Sequence, residues 1–258
     1  MPGPAGDPSP ASHAQAMRKI VLLPVFNEGP SLPSVLEGLV LSADAIIAID
    51  DGSLDDSADI LRTWAATNRR VTLVSLPRNL GKSEALAQGF RRIKDMLDGG
   101  MIDPDDAVIT MDADGQIPPE IIDRACADLA ARRLDMLIGA RDFRLYPSIK
   151  RLGNAFFTRL ASVLVGFPFQ DTLCGLRVLR AGSLVRIMPW YRARRFFCEQ
   201  EISMIGVRLG LAVANDLPVP TAFYRSNSTL PDAIQIAIDS LRTWWSLRKL
   251  PGRREEAL

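Results

Sequence analysis

The chain alternates short apolar runs with longer segments of helical periodicity, and this alternation constrains its fold more than any other feature. The runs are apolar on both faces, which is typical of parallel strands buried inside a sheet. In the segments between them, apolar residues recur at spacings of three and four, the pattern of amphipathic helices. This order predicts an α/β fold with a doubly wound, mostly parallel sheet and helices on both faces. We predict strands at 19–25, 45–49, 71–75, 107–111 and 135–139, and helices within 31–42, 55–68, 82–97 and 118–133.

The two ends of the chain differ from this pattern. Residues 1–17 are rich in Pro, Ala, Gly and Ser and lack the apolar stretch of a signal peptide, so we predict a disordered tail. We expect a single domain over residues 18–230, followed by an amphipathic helix and a frayed end over 231–258. Beyond residue 140 the pattern is looser, and the predicted elements there are helices near 148–165, 200–209 and 231–249 and a short strand near 212–218.

Charge and composition exclude several classes of protein. Lys and Arg (31) nearly balance Asp and Glu (30), so we expect no nucleic-acid partner. Three widely spaced cysteines without metal-ligand spacing are typical of reduced thiols in a cytoplasmic protein. No apolar run approaches the roughly 18–20 residues that span a bilayer, so any membrane contact is expected to be peripheral, on the inner face. The single histidine, His13, lies in the predicted tail, which argues against a histidine base.

Polar residues follow three of the predicted strands. Asn27 and Glu28 come after the first strand, Asp51 after the second, and the sequence Asp112-Ala113-Asp114-Gly115 after the fourth. Carboxyl ends of parallel strands meet at one edge of a sheet, so we expect these carboxylates to converge across a single cleft. Such a cluster of like charges is costly unless a cation or hydrogen-bond donors offset it.

The Asp-x-Asp motif at Asp112 and Asp114 is the strongest of these signals. Two carboxylates one residue apart can hold Mg²⁺ or Mn²⁺ and leave coordination positions for diphosphate oxygens. The metal would then neutralise charge on a leaving nucleotide. The alternative is an Asp-rich turn that ends in Gly, and Asp50 and Asp51 have a similar alternative as turn or helix-cap residues.

Gly81-Lys82-Ser83 looks like the end of a phosphate-binding P-loop, but that loop requires Gly at position 76, where this chain has Leu. We therefore predict that this segment begins a helix and that Lys82 approaches the nucleotide.

Taken together, the motifs LLPVFNEG, IDDGSLDDSADIL, PRNLGKSEALAQGF, MDADGQIPPE, GAR and DTLCGLRVLR resemble the family 2 glycosyltransferases. Within that family they are most similar to the branch of dolichol-phosphate mannose synthase and the bacterial polyprenyl-phosphate sugar transferases. The resemblance covers residues 19–228. It implies a GT-A fold, a UDP- or GDP-sugar donor, Mg²⁺ or Mn²⁺, a polyprenyl-phosphate acceptor and inversion at the anomeric carbon.

The resemblance also implies roles for individual residues. Asp112 and Asp114 match the metal pair, and Arg141 matches an arginine near the donor diphosphate and the acceptor phosphate. Asp171 falls where the family has an acidic residue near the reacting centre, and Arg225 matches a late arginine that reaches phosphate. Together with Lys82, the residues predicted at the donor site are Pro24, Asn27, Glu28, Asp51, Asp112, Gln116 and Arg177.

Several alternatives remain open. The alternative for Arg141 and Arg177 is that they are surface arginines paired with carboxylates. The alternative for Asp171 is that it caps a turn. Glu201 matches a glutamate of the family whose role the sequence does not give. In this chain Ile117 and Ala140 stand where the family often has His and Ser, which bears on the acceptor more than on the donor.

The acceptor decides whether a protein base is needed. A phosphate monoester is largely dianionic at neutral pH and needs none, whereas an alcohol acceptor, glycan or small molecule, would need a general base, for which Asp171 is the candidate. A non-catalytic nucleotide-sugar binding module is a third hypothesis.

Six arginines among apolar residues over 177–195 and the amphipathic helix at 231–249 favour peripheral membrane contact, unless that helix packs on its own domain. The oligomeric state is left open.

Overall fold

The computed structural model describes residues 16–192, 197–220 and 230–250. Within them lie seven strands and eight helices, and each predicted strand and helix is present to within a few residues. The strands are β1 (Lys19–Val25), β2 (Ala45–Asp50), β3 (Val71–Ser75), β4 (Ala107–Thr110), β5 (Met136–Arg141), β6 (Arg177–Arg180) and β7 (Val213–Val219). The helices are α1 (Leu32–Ser42), α2 (Ser57–Thr67), α3 (Lys82–Asp98), α4 (Ile121–Ala131), α5 (Ser148–Val165), α6 (Ala181–Ile187), α7 (Cys198–Arg208) and α8 (Leu230–Leu247).

The strands form one sheet in the order β3-β2-β1-β4-β6-β5-β7. All neighbouring pairs are parallel except the two that involve β6, which runs antiparallel to both β4 and β5. The prediction of a mostly parallel α/β sheet is therefore confirmed. Because β6 runs the opposite way, its first residue lies at the edge where β4 and β5 end, and the segment before it reaches the same edge.

Strand β6 and helix α6 were not predicted. The strand has only four residues, Arg-Val-Leu-Arg, with a charged residue at each end, and it leads directly into a helix of seven residues. Segments this short carry too few periods for an apolar pattern to distinguish strand from helix.

Two apolar clusters cover the two faces of the sheet. One contains Leu36 of α1, Leu61 of α2 and Leu129 of α4. The other contains Phe90 of α3 and Ile202 of α7, together with apolar residues of α5, α6 and α8. Alternate residues along β1 belong to opposite clusters, which explains why its sequence is apolar throughout.

Helix α8 packs its inner face on α5 and α7. The Gln200 side chain donates to Ser240 Oγ at 2.8 Å, and the Thr243 hydroxyl donates to Glu201 Oε1 at the same distance. Glu201 Oε2 also accepts the backbone N–H of Arg192. These contacts give Glu201, whose role the sequence left open, a part in joining α7 to α8. Among the helices that the structure describes, none is long and apolar enough to cross a bilayer.

Candidate active site

The loop after β1 is held by its own polar side chains. Asn27 has a left-handed backbone, with φ of 55°, and its side-chain oxygen accepts the N–H of Leu54 at 2.8 Å. The N–H of Asn27 donates to Ser53, and that of Glu28 donates to Ser57. Asn27 and Glu28 thus join the ends of β1 and β2 at the edge of the sheet. Pro24, which was also predicted to line the donor pocket, is buried within β1.

Asp51 does not point into an open cleft. It is 2% exposed, and its two carboxylate oxygens accept the backbone N–H groups of Leu80 and Gly81 at 2.7 and 2.8 Å. Burial raises the pKa of Asp51 above its ordinary value, although these two hydrogen bonds lower it. Asp51 therefore fixes the loop that leads into α3 and so sets the position of Lys82.

Asp112 and Asp114 follow β4 with Ala113 between them. Ala113 is buried in the core, whereas both aspartates are partly exposed. The backbone N–H of Gln116 donates to Asp114 Oδ1 at 3.0 Å, and the Gln116 side chain donates to Asp114 Oδ2. Ser31 at the start of α1 donates to the Ala113 carbonyl at 2.9 Å. The motif is thus anchored from both sides, and Gln116 orients the second carboxylate.

The electrostatics of this pair suit a divalent cation. Burial raises the pKa of Asp114, and the neighbouring charge of Asp112 raises it further, while the hydrogen bonds from Gln116 lower it. Two carboxylates that repel each other in a partly buried position are stabilised by a cation between them. Carboxylate oxygens are also the ligands that Mg²⁺ and Mn²⁺ prefer, so the two side chains fit such an ion.

Asp51 adds no third carboxylate to this pair. Within residues 16–192, 197–220 and 230–250, no group of three or more His, Cys, Asp or Glu side chains is arranged to hold a metal. The physical reason is that backbone N–H groups already satisfy the carboxylate of Asp51. Among the described residues, Asp112 and Asp114 are the candidate metal ligands, and a metal held by two carboxylates would keep coordination positions for oxygens of a substrate.

Lys82 brings a positive charge to this pair. Its ammonium forms ion pairs with Asp112 and with Glu199, a buried residue in the first turn of α7. Burial alone would lower the pKa of Lys82, but the two carboxylates raise it well above its ordinary value. Glu199 was not predicted from the sequence. Burial alone would raise the pKa of Glu199, but the charges of Lys82 and Arg177 lower it below its ordinary value.

Gly175, also missed from the sequence, lies against Asp112. A Cβ atom on Gly175 would come 2.1 Å from Asp112 Oδ2 and 2.5 Å from Asp112 Cγ. Any side chain here would push the carboxylate away. The segment before the antiparallel strand β6 therefore forms one wall of the candidate metal site, which explains why glycine is required there.

Arg141 at the end of β5 forms a two-pronged ion pair with Asp171. Its Nε donates to Asp171 Oδ2 at 2.7 Å and its Nη2 to Oδ1 at 3.0 Å, while Nη2 also reaches Asn154 of α5 at 3.3 Å. The rings of Phe143 and Tyr146 lie 5.3 and 5.6 Å from the guanidinium carbon. Arg141 thus pairs with a carboxylate, as the alternative predicted, but its side chain is only 19% exposed and is held at the edge of the sheet.

Asp171 is fully engaged by these contacts. It is 1% exposed, and besides Arg141 Nε and Nη2 it accepts the backbone N–H groups of Leu173 at 3.0 Å and Arg141 at 3.4 Å. Four donors match the roughly four lone-pair positions of a carboxylate. Asp171 thus orients Arg141, and these contacts leave it poorly suited to accept a proton from an alcohol.

Arg177 lies in the core and not in the donor site. It is 0% exposed and donates to the carbonyls of Thr172 and Cys174 and to the hydroxyl of Ser203. Burial lowers its pKa, although the nearby charge of Glu199 raises it. The predicted contact with the donor is therefore corrected: Arg177 supports the 172–175 segment from behind. Its alternative as a surface arginine is also wrong.

A cleft of about 680 Å³ opens at the carboxyl ends of β2 and β3. Its walls include Phe26, Ser53, Ser75, Arg62 and Arg78. The cleft has both aromatic and cationic groups in its lining. Arg225, the remaining predicted phosphate ligand, lies outside the described residues, as does His13.

Comparison with known proteins identifies the family. The model of "Glycosyl transferase family 2" matches residues 20–180. The chain belongs to this family. The match includes the loop after β1, the Asp-x-Asp motif, Arg141 and the segment from Asp171 to β6, which are the parts of the chain that form the edge described above. The resemblance inferred from the motifs is therefore confirmed at the level of the family.

Curated relatives carry a more specific name. The family 2 chain is 34% identical over 184 residues to an undecaprenyl-phosphate 4-deoxy-4-formamido-L-arabinose transferase of Edwardsiella ictaluri, over 69% of this chain and 53% of that protein. A protein of the same name from Pseudomonas paraeruginosa is 33% identical over the same length, covering 69% of this chain and 51% of the relative. The chain thus spans about half the length of the curated relatives it matches.

Solved structures of low sequence identity share the fold. Glucosyl-3-phosphoglycerate synthase from Mycobacterium tuberculosis, in a complex with Mn²⁺, uridine diphosphate and phosphoglyceric acid, aligns with a TM-score of 0.65 at 18% identity, covering 92% of this chain and 81% of that one. Its complex with Mn²⁺ and UDP-glucose aligns with a TM-score of 0.64 at 19% identity, with the same coverage. The predicted GT-A fold is thereby confirmed.

Substitution of Gly175 tests the wall of the metal site. We expect Gly175→Ala to displace the Asp112 carboxylate and to weaken Mn²⁺ binding by about 10–100-fold, the usual cost of disturbing the support of a metal ligand. Mn²⁺ affinity would be measured by titration calorimetry. Gly153→Ala on α5 is the matched control, since a Cβ there meets nothing within 4 Å. Equal Mn²⁺ affinity in both variants would contradict the assignment.

Proposed function

We propose that this family 2 glycosyltransferase moves a hexose from a UDP- or GDP-sugar to a polyprenyl phosphate, in a metal-dependent reaction that inverts the anomeric carbon. The observation that carries the proposal is the state of Asp171, whose acceptor positions are filled by Arg141 and by two backbone N–H groups. An alcohol acceptor requires a base at this position, whereas a phosphate arrives as an anion and requires a cation. The arrangement supplies the cation, Arg141.

The donor side of the proposal rests on Asp112 and Asp114. A divalent ion on these carboxylates would neutralise the charge that develops on the departing nucleoside diphosphate. Gln116 keeps Asp114 oriented, and Lys82 is close enough to Asp112 to reach the same diphosphate. The cleft at the ends of β2 and β3 offers room for the nucleoside. Solved structures of the same fold that contain Mn²⁺ or Mg²⁺ with uridine diphosphate support this assignment.

On the acceptor side, Arg141 offsets the repulsion between two phosphates. Asp171 and the two aromatic rings hold its guanidinium in one orientation, so little conformational entropy is lost when phosphate binds. The names of the curated relatives, which are undecaprenyl-phosphate transferases, support a polyprenyl phosphate as the acceptor. Arg225 remains a predicted second cation for this phosphate.

Exposed apolar faces on two neighbouring helices support peripheral contact with a membrane. On α5 and α8, large apolar side chains face outward at helical spacing, and basic residues flank them. Helix α5 also carries Asn154, which contacts Arg141, so the apolar face lies on the same helix as a residue of the site. Such a surface suits an anionic bilayer that contains the lipid acceptor. The outward apolar residues are Ile149, Leu152, Phe156, Val163, Ile234, Ile238, Leu241 and Trp245.

Loss of one metal ligand tests the proposed reaction. Asp114→Ala is expected to reduce the release of nucleoside diphosphate by a factor of about 100 or more, because charge on the leaving group is no longer offset. The assay would contain UDP- or GDP-sugar, Mn²⁺ and undecaprenyl phosphate. Asp98→Ala, an exposed carboxylate on α3, is the control and should retain full turnover. Full turnover by Asp114→Ala would refute the metal assignment, and nucleotide binding without turnover by the unaltered protein would favour a binding module.

Vesicle flotation tests the membrane face. We expect the protein to float with vesicles that contain phosphatidylglycerol, and the double variant Leu152→Glu, Leu241→Glu to remain unbound, because the new charges repel the anionic surface. Leu41→Glu on α1, also an exposed leucine, should float like the unaltered protein. Equal flotation of the double variant, or no flotation of the unaltered protein, would exclude this surface as a membrane contact.

A further inference from the structure

The position of Lys82 is unfavourable for the helix that carries it. Lys82 is the first residue of α3, and the N-terminus of a helix has a partial positive charge that repels cations. Its side chain is also largely removed from solvent, with 21% exposed. Helix stability therefore does not account for a lysine here. The ion pairs of its ammonium with two carboxylates, Asp112 and Glu199, account for it.

The two carboxylates differ in what they can reach. Asp112 belongs to the pair proposed to hold the metal, and its side chain is 31% exposed. Glu199 is the second partner of the Lys82 ammonium, with its side chain 8% exposed, and its Oε2 accepts a hydrogen bond from the Cys198 thiol at 2.9 Å. Glu199 is thus too deeply buried to contact a substrate directly. Its link to the site is the ion pair with Lys82.

A divalent ion and Lys82 would compete for Asp112. The Lys82 ammonium pairs with the Asp112 carboxylate, the same group that a metal ion would bind. When an ion binds Asp112, Lys82 must give up this partner and remain close to a second positive charge. An unpaired ammonium in a buried position is costly, so a second carboxylate has to stay with it.

We propose that Glu199 is a positioning residue that retains Lys82 when the metal takes Asp112, and so keeps the ammonium directed toward the donor diphosphate. This role rests on the proposed function, because it requires the metal pair. Glu199 touches neither metal nor substrate and acts through Lys82 alone. A purely structural link between α3 and α7 would instead affect stability and leave metal affinity unchanged.

A double-mutant cycle separates this role from simple attraction between Glu199 and the metal. We expect Glu199→Gln to weaken Mn²⁺ binding about tenfold, since Lys82 then has only Asp112 as a partner and competes harder with the ion. In a Lys82→Met background, the same substitution should change Mn²⁺ affinity less than about twofold, because the competitor is absent. Mn²⁺ affinity would be measured by electron paramagnetic resonance of free Mn²⁺, which does not depend on turnover.

Two further variants make the result decisive. Glu201→Gln, a buried glutamate on the same helix that contacts Thr243 and residue 192, should leave Mn²⁺ affinity unchanged. Glu199→Asp, which keeps the charge, should restore part of the affinity lost in Glu199→Gln. Weakening by Glu199→Gln to the same degree with and without Lys82, or no weakening at all, would overturn the role of Glu199. Failure of the unaltered protein to bind Mn²⁺ would overturn the proposed function, and this role with it.

Discussion

Repulsion between Asp112 and Asp114, held together where a buried strand ends, is the constraint around which the rest of the site is arranged. Burial of Ala113 and Ile117 in the core fixes the segment on which the two carboxylates stand. Gln116 and Lys82 then offset part of the negative charge. A divalent ion would offset the remainder and would at the same time attract a diphosphate. The same feature that destabilises the metal-free pair therefore creates its affinity for ligands.

The fold brings distant parts of the chain to this pair. Parallel strands β1, β2 and β4 deliver their carboxyl ends to one edge, and the antiparallel strand β6 brings the preceding segment to that edge from the opposite direction. Gly175 and Asp171 reach the site only because β6 is reversed. Below the surface, Arg177 supports the segment with three hydrogen bonds from inside the core. One short strand thus connects the segment beside Asp112 with the segment that holds Arg141, the proposed donor and acceptor sides.

Much of the fold could be predicted from the sequence, because the apolar runs and helical spacings that bury two faces of a sheet are long enough to recognise. Asp112 and Asp114 could be placed at the edge of the sheet because they follow a strand, and Arg141 was singled out by the resemblance to the family. Arg177 was misplaced because charged residues are rarely buried completely, and only the surrounding carbonyls explain it. Glu199 and Gly175 carry no local signal: one is an ordinary charge in a helix, and the other is required only by a neighbour distant in sequence. Asp51 was expected to face a ligand. Its hydrogen bonds from the N–H groups of Leu80 and Gly81 depend on tertiary structure, so the sequence could not show them.

In the proposed mechanism, Asp112 and Asp114 bind a divalent ion that in turn binds the diphosphate of the donor. The most direct test is thermal unfolding of the protein with UDP or GDP, each with and without Mn²⁺. A ligand that binds the native state raises the unfolding temperature by mass action. We expect a clear increase in unfolding temperature with one of the nucleotides when Mn²⁺ is present and little increase when Mn²⁺ is absent. An equal increase without metal, or none with either nucleotide, would contradict it.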